Sequence, residues 1–424
     1  MSGSTKEKTV SRMVKEQLCT GCGVCSAVCP LAAISMEKKE NGYYEPVIGD
    51  GCVQCGKCLA VCSGMSAASY QAENLSLEDC RTDRVCFSAH SKDEALRHNA
   101  SSGAVATELI RSLLEQGVYE DARVVASQDA GEVQKTVSYR SSESSCTQKS
   151  RYLPVSQEET AQEMRRNPEK RLILVATPCC TASLLNMIEM FGLERENYLF
   201  VGLFCDGTLS YNALEYFKFL AARNGSAKEV GNVLFRDKDS GGWPGNVGIV
   251  YRDGTKEHLP RTERMMIKKF FELERCRYCT MKLNPLSDIA LGDDYIPGEK
   301  TKEGDSSVIL YTKRGREAFE RVRPKLEVSA SDYEAVYRSQ KTGKKKITLQ
   351  YQRIKEEHSK DAFHFPGSAG KGRVCLRARA AFRFYETCSA LGEARRYQKI
   401  YGRTRAEKLV RRLKNRAGDR KSVV

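Results

Sequence analysis

The chain has 424 residues, 41% hydrophobic and 29% charged, the composition of a soluble globular protein with two or three domains. No stretch approaches the roughly 18 consecutive apolar residues of a membrane span, and Met1–Thr9 lacks an apolar signal core, so a cytoplasmic setting is expected. The net charge of +15 lies in the tail: residues 371–424 carry 17 Lys and Arg against 4 Asp and Glu, which leaves +2 for residues 1–370. A nucleic-acid enzyme carries its basic surface on the body, so no specific nucleic-acid partner is expected.

Four regions follow one another: 1–75, 76–330, 331–370 and 371–424. The first holds many of the eighteen cysteines, which in a chain read as non-secreted point to metal ligation over disulfides. One run is Cys19-x-x-Cys22-x-x-Cys25-x-x-x-Cys29-Pro30, and a second is Cys52-x-x-Cys55-x-x-Cys58-x-x-x-Cys62. A two-cluster bacterial ferredoxin uses this arrangement twice, with the fourth cysteine of each run ligating the other cluster. The pattern therefore predicts one 4Fe-4S cluster on Cys19, Cys22, Cys25 and Cys62 and another on Cys52, Cys55, Cys58 and Cys29. Gly21, Gly23 and Gly56 permit the tight backbone. The competing reading is a pair of zinc knuckles, which rarely show this doubled spacing.

In the second region, Arg171–Ala176 and Tyr198–Phe204 are short and apolar on both faces, which predicts buried parallel strands. Ala100–Gln116 and Tyr211–Arg223 have helical spacing, and together these elements predict an α/β domain. Cys179 follows the first strand and Cys205 the second. Ligands of an open α/β sheet lie at the carboxyl ends of its strands, so neighbouring strands would aim both thiols into one crevice. Cys276-x-x-Cys279 could add two more, making a third 4Fe-4S site. The alternative is that Cys179 and Cys205 are buried structural cysteines. Ser101, Ser102 and Gly103 open a helix whose unpaired N–H groups could bind phosphate, or they form an ordinary serine cap. Trp243, in a Gly-rich loop, either stacks on a ring system or anchors the loop. Asp288, Asp293 and Asp294 read as pocket carboxylates or strand-end turn residues. The five histidines form no motif, and no GxGxxG fingerprint follows a strand.

Residues 10–330 resemble the coenzyme F-420 hydrogenase/dehydrogenase beta subunit family. The matching pieces are the ferredoxin-type repeat, Ser101-Ser102-Gly103, Thr177-Pro178-Cys179, Leu203-Phe204-Cys205, Gly241-Gly242-Trp243, Cys276-Arg277-Tyr278-Cys279 and Ser287–Asp293. The resemblance implies a third cluster on Cys179, Cys205, Cys276 and Cys279, and FAD held by Ser101, Ser102, Gly103 and Trp243. Three positions depart from it: Ala104 stands where a second Gly is common, Cys180 where Gln is frequent, and Asp206 where His is frequent; Ser63 also stands where the ferredoxin repeat usually has Pro.

The expected architecture is α/β: a two-cluster ferredoxin-like domain, an α/β flavin-binding catalytic domain and a basic helical tail. The expected function is an iron–sulfur flavoprotein oxidoreductase, ferredoxin-linked and active in polysaccharide synthesis. The alternatives are a non-catalytic electron-transfer subunit and a redox sensor. Ferredoxin or another redox protein is the expected partner. Tyr397, Ile400, Tyr401, Leu409 and Leu413 recur at near-helical spacing among Arg and Lys, and Arg377, Arg379 and Arg383 interleave with Leu376, Phe382, Phe384 and Tyr385. That is the pattern of an interfacial helix on an anionic membrane surface.

Overall fold

A computed structural model of the protein describes residues 8–66, 84–126, 128–140, 147–277, 279, 281–298, 301–342 and 393–419, with isolated positions 357, 376, 380 and 383. In chain order the strands are β1 (Ile34–Lys38), β2 (Tyr44–Ile48), β3 (Val85–Ser91), β4 (Asp121–Val125), β5 (Gln134–Ser138), β6 (Val155–Ser156) and β7 (Leu172–Ala176). There follow β8 (Tyr198–Leu203), β9 (Val230–Asp237), β10 (Asn246–Tyr251), β11 (Lys256–Leu259), β12 (Ile289–Asp293), β13 (Ser306–Leu310) and β14 (Leu326–Ser331). Among the described residues, nine of them form one mixed sheet in the order β14-β3-β13-β12-β8-β7-β4-β5-β6. β1 and β2 pair in the N-terminal domain, and β9 to β11 form a separate antiparallel sheet.

The two expected strands are β7 and β8, and they are parallel neighbours, Leu172 opposite Tyr198 through Ala176 opposite Gly202. Their continuous apolar sequence suits a strand covered on both faces. Ile173, Leu199 and Val201 pack on one face with Val105, Leu109 and Leu113 of the Val105–Glu115 helix. Leu172, Leu174 and Phe200 pack on the other with Leu184 and Met187 of the Pro178–Phe191 helix. Val24, Val28 and Val61 of the N-terminal domain join this second core, so that domain is docked on the sheet.

Past residue 330 the chain still belongs to the body, since the Tyr333–Ser339 helix buries Val336 beside Cys86, Ala290 and Ile309.

The Glu393–Asp419 helix overturns the physical basis of the expected membrane contact. Tyr397 and Ile400 sit in a core formed with Tyr216, Phe217 and Phe271, with ring centroids 5.9 Å from Tyr397 to Tyr216 and 6.2 Å to Phe271. Arg396 lies over the Phe271 ring, Lys269 pairs with Glu407, and Lys408 pairs with Glu263. At Tyr397 and Ile400 the apolar stripe is covered by the Asn212–Arg223 and Arg261–Phe271 helices. The side chains of Leu409 and Leu413, and most of residues 371–392, lie outside the described residues. Ile400 has 0% exposure, so Ile400→Ala is expected to cost about 2–5 kcal/mol. A denaturant midpoint equal to wild type would show that this helix is not docked.

Candidate electron-transfer site

Each cysteine run wraps its sulfurs with short turns. Gly23 and Gly56 precede the Val24–Ala27 and Lys57–Ala60 turns at φ +73° and +81°, a left-handed conformation that glycine adopts without penalty. Sulfurs of the two runs lie close together, since Cys62 of the second run and Cys58 beside it act on Cys25 of the first. Burial pushes the Cys25 thiol up, and Cys22, Cys19 and Cys62 add to the effect. Burial and then Cys62 do the same for Cys19. Cys29, Cys52, Cys55 and Cys58 line one shallow pocket with Pro30, Ala33 and Ile34.

Backbone N–H groups point at several of these sulfurs: Gly21 at Cys19 (3.4 Å), Ala33 at Cys29 (3.3 Å) and Gln54 at Cys52 (3.4 Å). Donors of this kind stabilise thiolates and suit cluster ligands. Four thiolates around one tetrahedral zinc stand roughly 3.8 Å apart, given a Zn–S bond of about 2.3 Å. Among the described residues, the set of three ligand atoms within 4.8 Å of one another is Asp237, Asp239 and His258. Lys149 and Lys256 already neutralise that set at 2.7–2.9 Å. Among the described residues no three cysteine sulfurs fall within that 4.8 Å.

The third set is drawn from three segments. Cys179 starts the helix after β7, and Cys205 follows β8, its N–H donating to the Lys282 carbonyl at 2.9 Å. Cys276 lies in the Glu274–Arg277 turn, where its Sγ accepts the Thr208 N–H at 3.3 Å. Burial raises the Cys276 thiol first, and Cys205, Glu272 and Cys179 raise it further, so these three sulfurs share one crevice. Cys279 stays on the same turn, its N–H donating to the Cys276 carbonyl at 3.3 Å. Cys180 donates to the Cys179 sulfur and pulls that thiol down to about 6 against its burial, with Thr177, Arg275 and Thr20 assisting. Beside Cys205, burial would raise the Asp206 carboxyl, but Lys268 and Lys282 at 2.6 and 3.2 Å hold it at about 2.

The buried N-terminal set and the third set are adjacent. Cys179 acts on Cys22, and the Thr20 hydroxyl is within hydrogen-bonding reach of both sulfurs. Cys22 Sγ is 3.7 Å from Ser183 Oγ on the helix that carries Cys179, and the Cys22 carbonyl accepts the Gln157 N–H at 2.7 Å. The other N-terminal set faces outward: Cys55 is exposed, and Leu31 and Val53 beside it are 53% and 66% exposed. Thr20, Ser183, Lys268 and Lys282 were not among the residues expected from sequence, since their contacts join segments distant in the chain.

The atoms expected to cradle a flavin phosphate have protein partners instead. Ser101 Oγ accepts from the Ser150 N–H (2.7 Å) and hydroxyl (2.9 Å). Ser102 Oγ donates to the Asp305 carbonyl, and the Gly103 N–H goes to Ser306 Oγ at 3.0 Å. A Cβ on Gly103 would meet the Ala89 carbonyl at 2.4 Å. The helix itself begins only at Val105, after a left-handed Ala104. Ser101, Ser102 and Gly103 thus brace a loop to β3 and β13 and do not fit a phosphate cradle. Trp243 has two attachments. Its Nε1–H donates to Asp293 Oδ1 at 3.0 Å, and its ring lies 5.2 Å from the half-exposed ring of Tyr295. Arg236 grips Asp293 with both ends of its guanidinium, at 2.5 and 2.7 Å. Asp288 serves the opposite end of β12, accepting from the Phe200 N–H, Thr312 and Arg195, and Asp294 bonds Ser88 and the Ile296 N–H. Both are strand-end residues.

Comparison with known proteins gives the family and the fold. The family model for the C terminus of the coenzyme F420 hydrogenase/dehydrogenase beta subunit matches residues 169–336, and its N-terminal counterpart matches residues 86–160. A 4Fe-4S dicluster domain model matches residues 18–66. A subunit of the F(420)H(2) dehydrogenase of Methanosarcina mazei is 22% identical over 335 residues, 75% of this chain and 86% of that protein. A chain of the F420-reducing [NiFe] hydrogenase complex from Methanosarcina barkeri has a similar fold. Its TM-score is 0.50 at 18% identity, covering 66% of this chain and 96% of that one.

Proposed function

Since this chain belongs to the coenzyme F420 hydrogenase/dehydrogenase beta subunit family and carries a 4Fe-4S dicluster domain, we propose that it is an iron–sulfur electron-transfer subunit of an oxidoreductase complex. Cys29, Cys52, Cys55 and Cys58 would hold the outer cluster and Cys19, Cys22, Cys25 and Cys62 the inner one. Cys179, Cys205, Cys276 and Cys279 would hold a third. Such clusters, when bound, accept and release one electron at a time. The observation that supports this reading is the spatial order of the three cysteine sets. One reaches solvent at Cys55, the next is buried against the body, and the third lies at the carboxyl edge of β7 and β8. The residues supply insulation, thiolates and N–H donors along that line.

The far end is where an organic partner would meet the chain. The relatives' names point to F420, the outer end suits ferredoxin or a similar carrier, and both assignments are proposals for this chain. A second reading, a self-sufficient flavin-dependent reductase, draws on the Trp243–Tyr295 aromatic pair at the same edge. A link to polysaccharide synthesis has no supporting contact among the described residues. Membrane docking of the tail would now rest on its charge, because Tyr397 and Ile400 are buried within the chain.

Purified protein, prepared anaerobically, is expected to be bleached by dithionite yet to turn over no small organic acceptor until a partner subunit is added. Turnover by the chain alone, together with a flavin released on denaturation, would replace this reading with the reductase.

A further inference from the structure

Ser183 is wholly buried on the Pro178–Phe191 helix, a poor place for a hydroxyl without partners. It has two, both from the N-terminal domain. The Ser63 N–H donates to Ser183 Oγ at 3.1 Å, and Cys22 Sγ lies 3.7 Å from the same oxygen. Ser63 follows Cys62, so both contacts are made at or beside ligands of the inner cysteine set. Proline, the residue that the ferredoxin pattern favours after the last cysteine, has no N–H and could not make the first bond.

The direction of the second bond follows from valence. A free Cys22 thiol can donate to the hydroxyl oxygen. A metal-bound Cys22 thiolate has no proton and can only accept. With one of its two lone pairs engaged by the Ser63 N–H, Ser183 has its O–H left to donate to the Cys22 sulfur.

We propose that Ser183 is a positioning residue that raises the reduction potential of the inner cluster by hydrogen-bonding the Cys22 thiolate, with the Ser63 N–H holding the hydroxyl in line. Reduction adds one negative charge to the cluster and its thiolates. A donor on a ligating sulfur stabilises that charge, and such bonds are one of the levers by which proteins set cluster potentials. Among the described residues, the hydrogen bonds of Ser183 go to Cys22 and Ser63 and none to the outer set, so the effect is selective. It would shift the inner cluster toward easier reduction and so favour passage of electrons from the exposed face toward Cys179.

The inference rests on the reading of Cys19, Cys22, Cys25 and Cys62 as one cluster, and the experiment separates the two. Full-length wild type, Ser183→Ala, Ser183→Thr and Ser63→Pro are loaded with iron and sulfide, analysed for iron, and titrated with dithionite under EPR. In Ser183→Ala, one of the two N-terminal waves is expected to move to lower potential while the other stays, with iron content unchanged. Ser183→Thr, which keeps the hydroxyl, should titrate like wild type. Ser63→Pro, which removes the anchoring N–H and leaves Ser183 in place, should move the same wave in the same direction by less. If Ser183→Ala fails to assemble, Ser63→Pro decides. Unmoved waves, or equal movement of both, overturn the inference. A wild-type protein with iron for only one N-terminal cluster overturns the reading beneath it.

Discussion

Anaerobically purified, fully loaded protein is expected to contain about twelve irons per chain, and the double variant Cys276→Ser, Cys279→Ser about eight, as three and two cubes of four irons require. The expectation follows from three observations. Cys276 is raised by both Cys205 and Cys179, so sulfurs from three segments share one crevice. The Cys276 sulfur already receives a backbone N–H from Thr208, as cluster thiolates do. Arg275 and Lys268 bring positive charge close to Cys179 and Cys205, which offsets the charge of several thiolates in a dry site. The loss should be confined to the third site, because the eight N-terminal cysteines ligate without help from residues 276–279. Iron and acid-labile sulfide analysis decides it. A wild-type value near that of the double variant would return Cys179 and Cys205 to the status of buried structural cysteines.

Replacing Cys55 by Ser is expected to slow reduction of the remaining clusters by reduced ferredoxin by an order of magnitude or more, while methyl viologen still reduces them. Cys55 is exposed, whereas the inner set lies under the Glu158–Arg166 and Pro178–Phe191 helices, with Val24, Val28 and Val61 packed beside Met164 and Leu184. Among the described cysteines of the N-terminal domain, Cys55 offers a protein donor the most exposed approach, and a small viologen is less restricted in its route. Absorbance bleaching after rapid mixing measures both rates. Equal loss with both reductants would mean that the outer set holds the domain together and is not the point of entry. An unchanged ferredoxin rate would place the entry point elsewhere on the surface.

Much of the site was legible in the sequence because its geometry is local. Ligand spacing of two residues fixes how a chain wraps a cube, so the doubled Cys-x-x-Cys runs were enough to place a dicluster domain at residues 18–66 and to propose its eight ligands. The continuous apolar segments at 171–176 and 198–204 were enough for two buried strands, and the thiol after each followed from the general rule for open sheets. The fold decided everything that depends on partners far apart in the chain. Ser101, Ser102 and Gly103 look like a free helix end when read alone. The closure of β3 against β13 brings Asp305 and Ser306 onto them and uses the very groups that a phosphate would need. Tyr397 and Ile400 announce one apolar face, yet periodicity states only that a face is buried and not what buries it, and here it is Tyr216 and Phe271. Ser63 reads as a small departure from a pattern until the Pro178–Phe191 helix sets Ser183 beside it, 120 residues away. Spacing along a chain encodes contacts within one turn or one strand. Which hydroxyl meets which sulfur across the molecule depends on how the packed layers close, and that is decided by the burial of all of them together.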